Sequence, residues 1–174
     1  MIEVTPRKQN IYNAKSSFKN SSDNHISIFL AGTIDSGNSV NWQQEIINNL
    51  QEYDLQNLTI YNPRRLDWPP DADHEEMQFQ IKWEQEHLGK ADIIIMVLTD
   101  TSKSPITLLE MGLYAKSKKL YVFCTDKFYR YDNVKLTCDK YNIPLINTTN
   151  TEKISEYIFN KTKNKDNKTD YDGV

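Results

Sequence analysis

The run Ile93-Ile94-Ile95-Met96-Val97-Leu98 constrains the fold more than any other stretch of the chain. Six consecutive apolar residues, four of them β-branched, stand between Asp92 and Thr99. Such a run cannot alternate between core and water, so both of its faces must be covered. A strand of this kind belongs in a parallel sheet with helices above and below it. Residues 26–31, 58–61, 120–124 and 144–146 read as four further strands. Helix-favouring stretches lie between and after the strands, at 42–53, 75–90, 105–117, 133–141 and 152–161. Strand and helix therefore alternate, and right-handed crossovers leave few topologies. The expected fold is α/β: a three-layer sandwich around a five-stranded parallel sheet, flavodoxin-like or Rossmann-like.

A chain of 174 residues suits one domain. Residues 1–24 are polar and aperiodic, and read as a flexible N-terminal arm. The folded domain is expected over 25–163, with a flexible tail over 164–174. Lys and Arg number 21 against 24 Asp and Glu, a net charge of −3 that argues against a dedicated duplex nucleic-acid binder. No apolar run approaches the roughly 18–20 residues of a membrane span. The first residues carry no apolar signal-peptide core, so a cytoplasmic location is expected. Cys124 and Cys138 form no CxxC pair and read as two reduced thiols.

Sites in such folds lie beyond the carboxyl ends of the strands, at the topological switch point. Four segments occupy those places: 32–35, 62–68, 99–110 and 125–133. They supply as candidates Gly32, Thr33 and Asp35; Asn62, Arg64, Arg65 and Trp68; Ser104; and Asn133. Ser104-Pro105 combines a good N-cap with a good first helical residue. Six residues past the cap, Glu110 borders an apolar stripe of Ile106, Leu113 and Tyr114. It is either a solvated flank residue or a partly desolvated nucleophile. Glu84 shares helical spacing with Met77, Ile81 and Leu88, where a carboxylate is costly unless paired or used. Gln80, Trp83 and His87 form an adjacent stripe of polar and aromatic partners. Arg64 and Arg65 could clamp a phosphate or carboxylate, with Trp68 stacking on a ring, or could belong to a solvated turn. The run Asp71-Ala72-Asp73-His74-Glu75-Glu76 sits where a helix begins, where acids complement the macrodipole, and is read as that rather than as a metal site. There is no Walker A motif, no GxGxxG and no Ser/His or Cys/His pair that the pattern supports.

Several segments in order resemble the nucleoside 2-deoxyribosyltransferase-like family, a flavodoxin-like group that cleaves N-glycosidic bonds. They are Phe29-Leu30-Ala31-Gly32-Thr33-Ile34, Asn62-Pro63-Arg64-Arg65, Gln80-Ile81-Lys82-Trp83-Glu84 with Leu88 and Ala91-Asp92, and Ser104-Pro105-Ile106-Thr107-Leu108-Leu109-Glu110-Met111-Gly112. The resemblance spans roughly residues 26–146. It implies that Glu110 is the nucleophile and that Glu84 stands where the better-studied branch has an Asp contacting the base. Ser104 stands where that branch has another Asp. Both departures bear on substrate choice. The implied chemistry is a glycosyl-enzyme ester on Glu110, resolved by a second base or by water, with no metal or organic cofactor. The implied partner is a small-molecule nucleoside or nucleotide, and the implied assembly a homo-oligomer. Phe128-Tyr129-Arg130-Tyr131 offers an aromatic contact surface for it. Two alternatives remain at this level: a hydrolase of deoxynucleoside 5′-monophosphates held by Arg64 or Arg65, and a non-catalytic nucleotide-binding module.

Overall fold

The computed structural model describes residues 1–6, 25–34, 39–53, 55, 57–66, 68–69 and 71–166, the last three by backbone alone. In chain order the elements are β1 (Ile2–Val4), β2 (Ile26–Gly32), α1 (Trp42–Gln51), β3 (Leu58–Tyr61), α2 (His74–Lys90) and β4 (Ile93–Leu98). They continue with α3 (Pro105–Tyr114), β5 (Leu120–Cys124), α4 (Tyr131–Tyr141), β6 (Leu145–Ile146) and α5 (Thr151–Asp166). The strands form one sheet in the order β1-β3-β2-β4-β5-β6, and every pairing is parallel. With β1 set aside, this is the flavodoxin-like order.

The sheet has six strands rather than the expected five. The addition, Ile2–Val4, falls in the segment read as an arm and pairs with β3, Val4 opposite Tyr61. Three residues are too few to show a period of two, and an edge strand needs little apolar content to complete a ladder. Residues 7–24 and 167–174 lie outside the described residues, while α5 runs to Asp166, past the expected start of the tail.

All six side chains of β4 are buried, as its composition requires. Ile93, Ile95 and Val97 pack into one layer with Ile46, Ile47 and Leu50 of α1 and Ile154 and Ile158 of α5. Ile94, Met96 and Leu98 enter the other layer with Leu88 of α2, Met111 of α3 and Val134 and Cys138 of α4. Alternate residues of one strand thus supply both cores. Asn41 caps α1 by accepting from the Gln44 backbone N–H at 3.2 Å. The Lys119 ammonium donates to the carbonyls of Leu88, Gly89 and Ala91 at 2.8, 2.8 and 3.0 Å, satisfying acceptors that the end of α2 leaves open. Cys124 and Cys138 are buried free thiols. Among the described residues no helix is long and apolar enough to cross a membrane.

Candidate functional site

The chain leaves β2 for β3 on one side and returns to β4 on the other, so the switch point lies between the ends of β2 and β4. A cavity of about 410 Å³ opens there, walled by the end of β2, the segment after β3, α2 and the start of α3. Gly32 closes β2 with φ of +147°. A Cβ at that position would lie 2.2 Å from the Val97 carbonyl oxygen and 2.8 Å from the Trp42 ring, so only glycine lets the two strand ends meet.

The next residue begins a short relay of hydroxyls. The Thr99 backbone N–H donates to Thr33 Oγ1 at 3.2 Å, and Ser104 Oγ donates to Ser102 Oγ at 3.0 Å. The Thr33 hydroxyl therefore donates to Ser104 Oγ across their 2.6 Å contact. Ser104 does not cap α3 with its side chain as expected; it adopts a left-handed backbone, φ 44° and ψ 51°, and turns its hydroxyl toward Thr33. Gly32, Thr33 and Ser104 all line the cavity.

Two carboxylates from different helices meet in the same space. Glu84 of α2 and Glu110 of α3 both line it. Burial, reinforced by the charge of Glu84, pushes the Glu110 carboxyl up to about 8. Burial also raises Glu84, against a hydrogen bond from Gln80 that lowers it. That bond is 2.7 Å long, from Gln80 Nε2 to Glu84 Oε1. Two carboxyl groups that raise each other's affinity for protons in a cleft are a common feature of reactive sites.

The stripe reading of α2 needs correction. Met77 and Ile81, expected in the core, are about half exposed, and only Leu88 of that set is buried. The inward face is the adjacent one. Trp83 stacks on His87 with ring centres 4.1 Å apart, and His87 meets Tyr61 of β3 edge-on at 4.7 Å. Ring packing against β2 and β3 turns this face inward and carries Glu84 to the cavity.

The arginines divide sharply. Arg64 is buried away from the cavity lining, its guanidinium donating to the Val40 carbonyl at 2.9 Å and the Ser39 carbonyl at 2.6 Å. It fixes the loop that precedes α1 rather than facing a ligand. Arg65 does reach the cavity, next to Trp68, with its charge 5.6 Å from the centre of that ring. It is ion-paired with Glu76, in the first turn of α2, and both side chains are less than a tenth exposed. Asp73 caps that helix by accepting from the Glu76 N–H at 2.8 Å, as the acidic run implied.

Other expected contacts do not come together. Asn62 is buried and donates from Nδ2 to Glu3 at 2.9 Å, tying β1 to the sheet. Trp83 packs against the core, 6.1 Å from the Phe29 ring, outside the cavity lining. Asn133 is exposed on α4, because its helix turns that face to solvent. Asp35 lies outside the described residues. Phe128 is buried in the core, so the aromatic surface expected at 128–131 reduces to Tyr129 as its exposed member among the large apolar side chains. Gln80, Met77, Ile106 and Thr107 line the cavity without having been candidates. Gln80, read in the sequence only as one of the polar and aromatic partners beside Glu84, lies four residues before it and bonds its carboxylate.

A family model described as "Nucleoside 2-deoxyribosyltransferase like" matches residues 25–128. Among solved structures, a conserved protein from Enterococcus faecalis V583 is 15% identical, with a TM-score of 0.56 over 79% of this chain and 99% of that one. A 2-deoxyribosyltransferase from Bacillus psychrosaccharolyticus is 23% identical, with a TM-score of 0.43 over 56% of this chain and 71% of that one. A comparison with curated proteins finds no match. The first of these structures shares the fold.

Proposed function

The chain belongs to the nucleoside 2-deoxyribosyltransferase-like family, and from that premise we propose that it cleaves and transfers the N-glycosidic bond of (deoxy)nucleosides through a glutamate nucleophile. The observation that carries the reading is the meeting of Glu84 and Glu110 in the cavity at the switch point. An oxygen of ionised Glu110 attacks the anomeric carbon. The bond from that carbon to the base nitrogen breaks, its electron pair goes to the base, and Glu84 gives the base a proton. The product is a glycosyl ester on Glu110. A second base attacks the same carbon, the ester bond breaks, Glu110 regains its charge and Glu84 takes back the proton. Two displacements retain configuration.

Between its two titrations the pair carries one proton, which Glu110 holds the more tightly; the reactive form is the tautomer in which that proton sits on Glu84 and Glu110 is ionised. Activity therefore falls at low pH, where both groups are protonated, and falls again above about 8, where the pair loses its last proton. The cavity favours an uncharged sugar. Arg65 is committed to Glu76 and Arg64 to the loop before α1, while two carboxyl groups line the wall. Free nucleosides fit this charge balance better than 5′-monophosphates.

The reading extends to assembly. Ile106, Leu109 and Leu113 of α3 are 61, 59 and 67% exposed, beside half-exposed Met77 and Ile81 of α2. An apolar face next to the open side of a cavity suits a second copy of the chain, giving a homo-oligomer.

Incubation with deoxynucleosides, with and without an acceptor base, followed by chromatography, tests the activity. Base exchange that requires acceptor, with a pentosyl mass increment on Glu110 after rapid quenching, is the expected result. Release from a 5′-monophosphate alone would overturn transfer between nucleosides. Glu84→Gln should be folded and slow by about 10²-fold or more. Removing the charge that raises Glu110 should also move the Glu110 titration down from about 8.

A further inference from the structure

Within the catalytic reading just given, the geometry points to Gln80 as a positioning residue that holds Glu84 by one oxygen and stabilises the carboxylate left after Glu84 gives up its proton. Gln80 Nε2 lies 2.8 Å from the Pro63 carbonyl oxygen and 2.7 Å from Glu84 Oε1. A backbone carbonyl only accepts hydrogen bonds, so the amide nitrogen must face Pro63. The orientation of the amide is thereby fixed from outside the carboxylate pair. Its two N–H groups go to Pro63 and to Glu84, and Glu84 Oε1 is an acceptor. The carboxyl proton, when present, sits on Oε2.

The arrangement has a visible cost. Gln80 Oε1 is buried and has no hydrogen-bond partner among the described residues. Turning the amide over would set its oxygen against two acceptors, the Pro63 carbonyl and the Glu84 carboxylate, so the Nε2 contacts fix the side chain. Their effect on chemistry has a definite sign. Burial makes Glu84 a weaker acid, and the Gln80 bond acts in the opposite direction. A stronger acid delivers its proton more readily to a departing base.

The groups facing Glu84 can be named. From α3 there is Glu110, whose carboxyl feels the Glu84 charge. From the segment after β3 there is Arg65, engaged by Glu76. The wall contributed by β2, Phe29 and Ala31, is uncharged. Gln80 is a neutral donor hydrogen-bonded to this carboxylate, in a cavity also lined by the hydroxyls of Thr33, Ser104 and Thr107.

The test uses the full chain with glutamate and glutamine side chains isotopically labelled, titrated by NMR. In the unmutated protein the two Gln80 amide protons should resolve and shift with the Glu84 titration, and Glu84→Gln should remove that shift. In Gln80→Met, which keeps volume and loses the donor, Glu84 should titrate at higher pH. The rate of base release should fall about 5- to 10-fold, the loss in kcat rather than KM, as for one hydrogen bond of about 1 kcal/mol. The alkaline limb of the pH–rate profile should move upward. Gln80 amide signals that stay flat while Glu84 titrates would overturn the proposal, as would an unshifted Glu84 in folded Gln80→Met. Should Gln80→Met not fold, the amide signals of the unmutated protein decide. These NMR readouts do not depend on turnover. If no nucleoside is cleaved, the functional reading fails while the Gln80–Glu84 coupling is still measured.

Discussion

The two helical layers of this sheet have been built to different ends. On one side, ten-residue α1 fully buries Trp42, Gln43, Ile46, Ile47 and Leu50. On the other, seventeen-residue α2 fully buries only Glu76 and Leu88. The neighbouring helix α3 fully buries Thr107 and Met111, leaving Ile106, Leu109 and Leu113 open to solvent. The first layer is a sealed and mainly apolar core, with the Gln43 amide buried in it. The second packs carboxylates, an amide and rings around a cavity.

The sharpest way to break this contrast is Glu110→Ala. Loss of the proposed nucleophile should reduce base exchange on the order of 10³-fold or more, with circular dichroism unchanged and the melting temperature not lowered. An enzyme that kept more than a few per cent of its activity would remove Glu110 from that role. A matching change on the sealed side is Leu50→Ala, at a residue with no exposure. It should cost roughly 3–4 kcal/mol and lower the melting temperature by about 10 °C, with the rate per folded molecule preserved.

A third test asks whether the open side is destabilised by its own carboxylate. Folding raises the Glu110 carboxyl from an ordinary 4.5 to about 8, so the folded state binds the proton more tightly than the unfolded chain. Stability should therefore fall as pH climbs from about 4.5 to about 8, then level off. Glu110→Gln removes this slope. It should match the parent near pH 4 and exceed it near pH 8 by on the order of 2 kcal/mol, measured by urea unfolding at both values. A stability gain independent of pH would show that the Glu110 charge is not the cost.

How much of this was legible in the sequence follows the same division. The β4 run dictated a doubly covered strand, and the alternation around it dictated a parallel α/β sheet. Glu84 and Glu110 were singled out as costly carboxylates near the switch point, but through apolar stripes whose Met77, Ile81, Ile106 and Leu113 are exposed. The apolar spacing of α2 pointed to the wrong face. Met77 and Ile81 repeat like core residues, yet Trp83 and His87 have rings that fit Phe29 and Tyr61, and ring packing set the rotation of the helix. Arg64 and Arg65 were indistinguishable as a dipeptide. Their long side chains end wherever acceptors wait, at Ser39 and Val40 for one and at Glu76 for the other. Asn62 found a partner in β1, which was itself hidden by its length.

The smallest expected effect probes the apolar surface that the sealed layer lacks. Leu113 is two-thirds exposed, so Leu113→Ser removes little packing and should change monomer stability by no more than about 0.5 kcal/mol. Its counterpart Leu50→Ala would be felt immediately by the fold. If α2 and α3 meet a second copy, however, Leu113 is covered in the assembly, and the substitution should shift sedimentation toward the monomer. It should do so without altering the Glu110 titration, because Leu113 is not part of the cavity lining. Leu109→Ser, on the same exposed face, should act in the same direction, and the pair together should do so more strongly. Activity should then depend on protein concentration, since dilution would open a cavity wall that the partner covers. A parent protein that sediments as a monomer at assay concentration with full activity would contradict the oligomer, leaving the exposed stripe of α3 without that explanation.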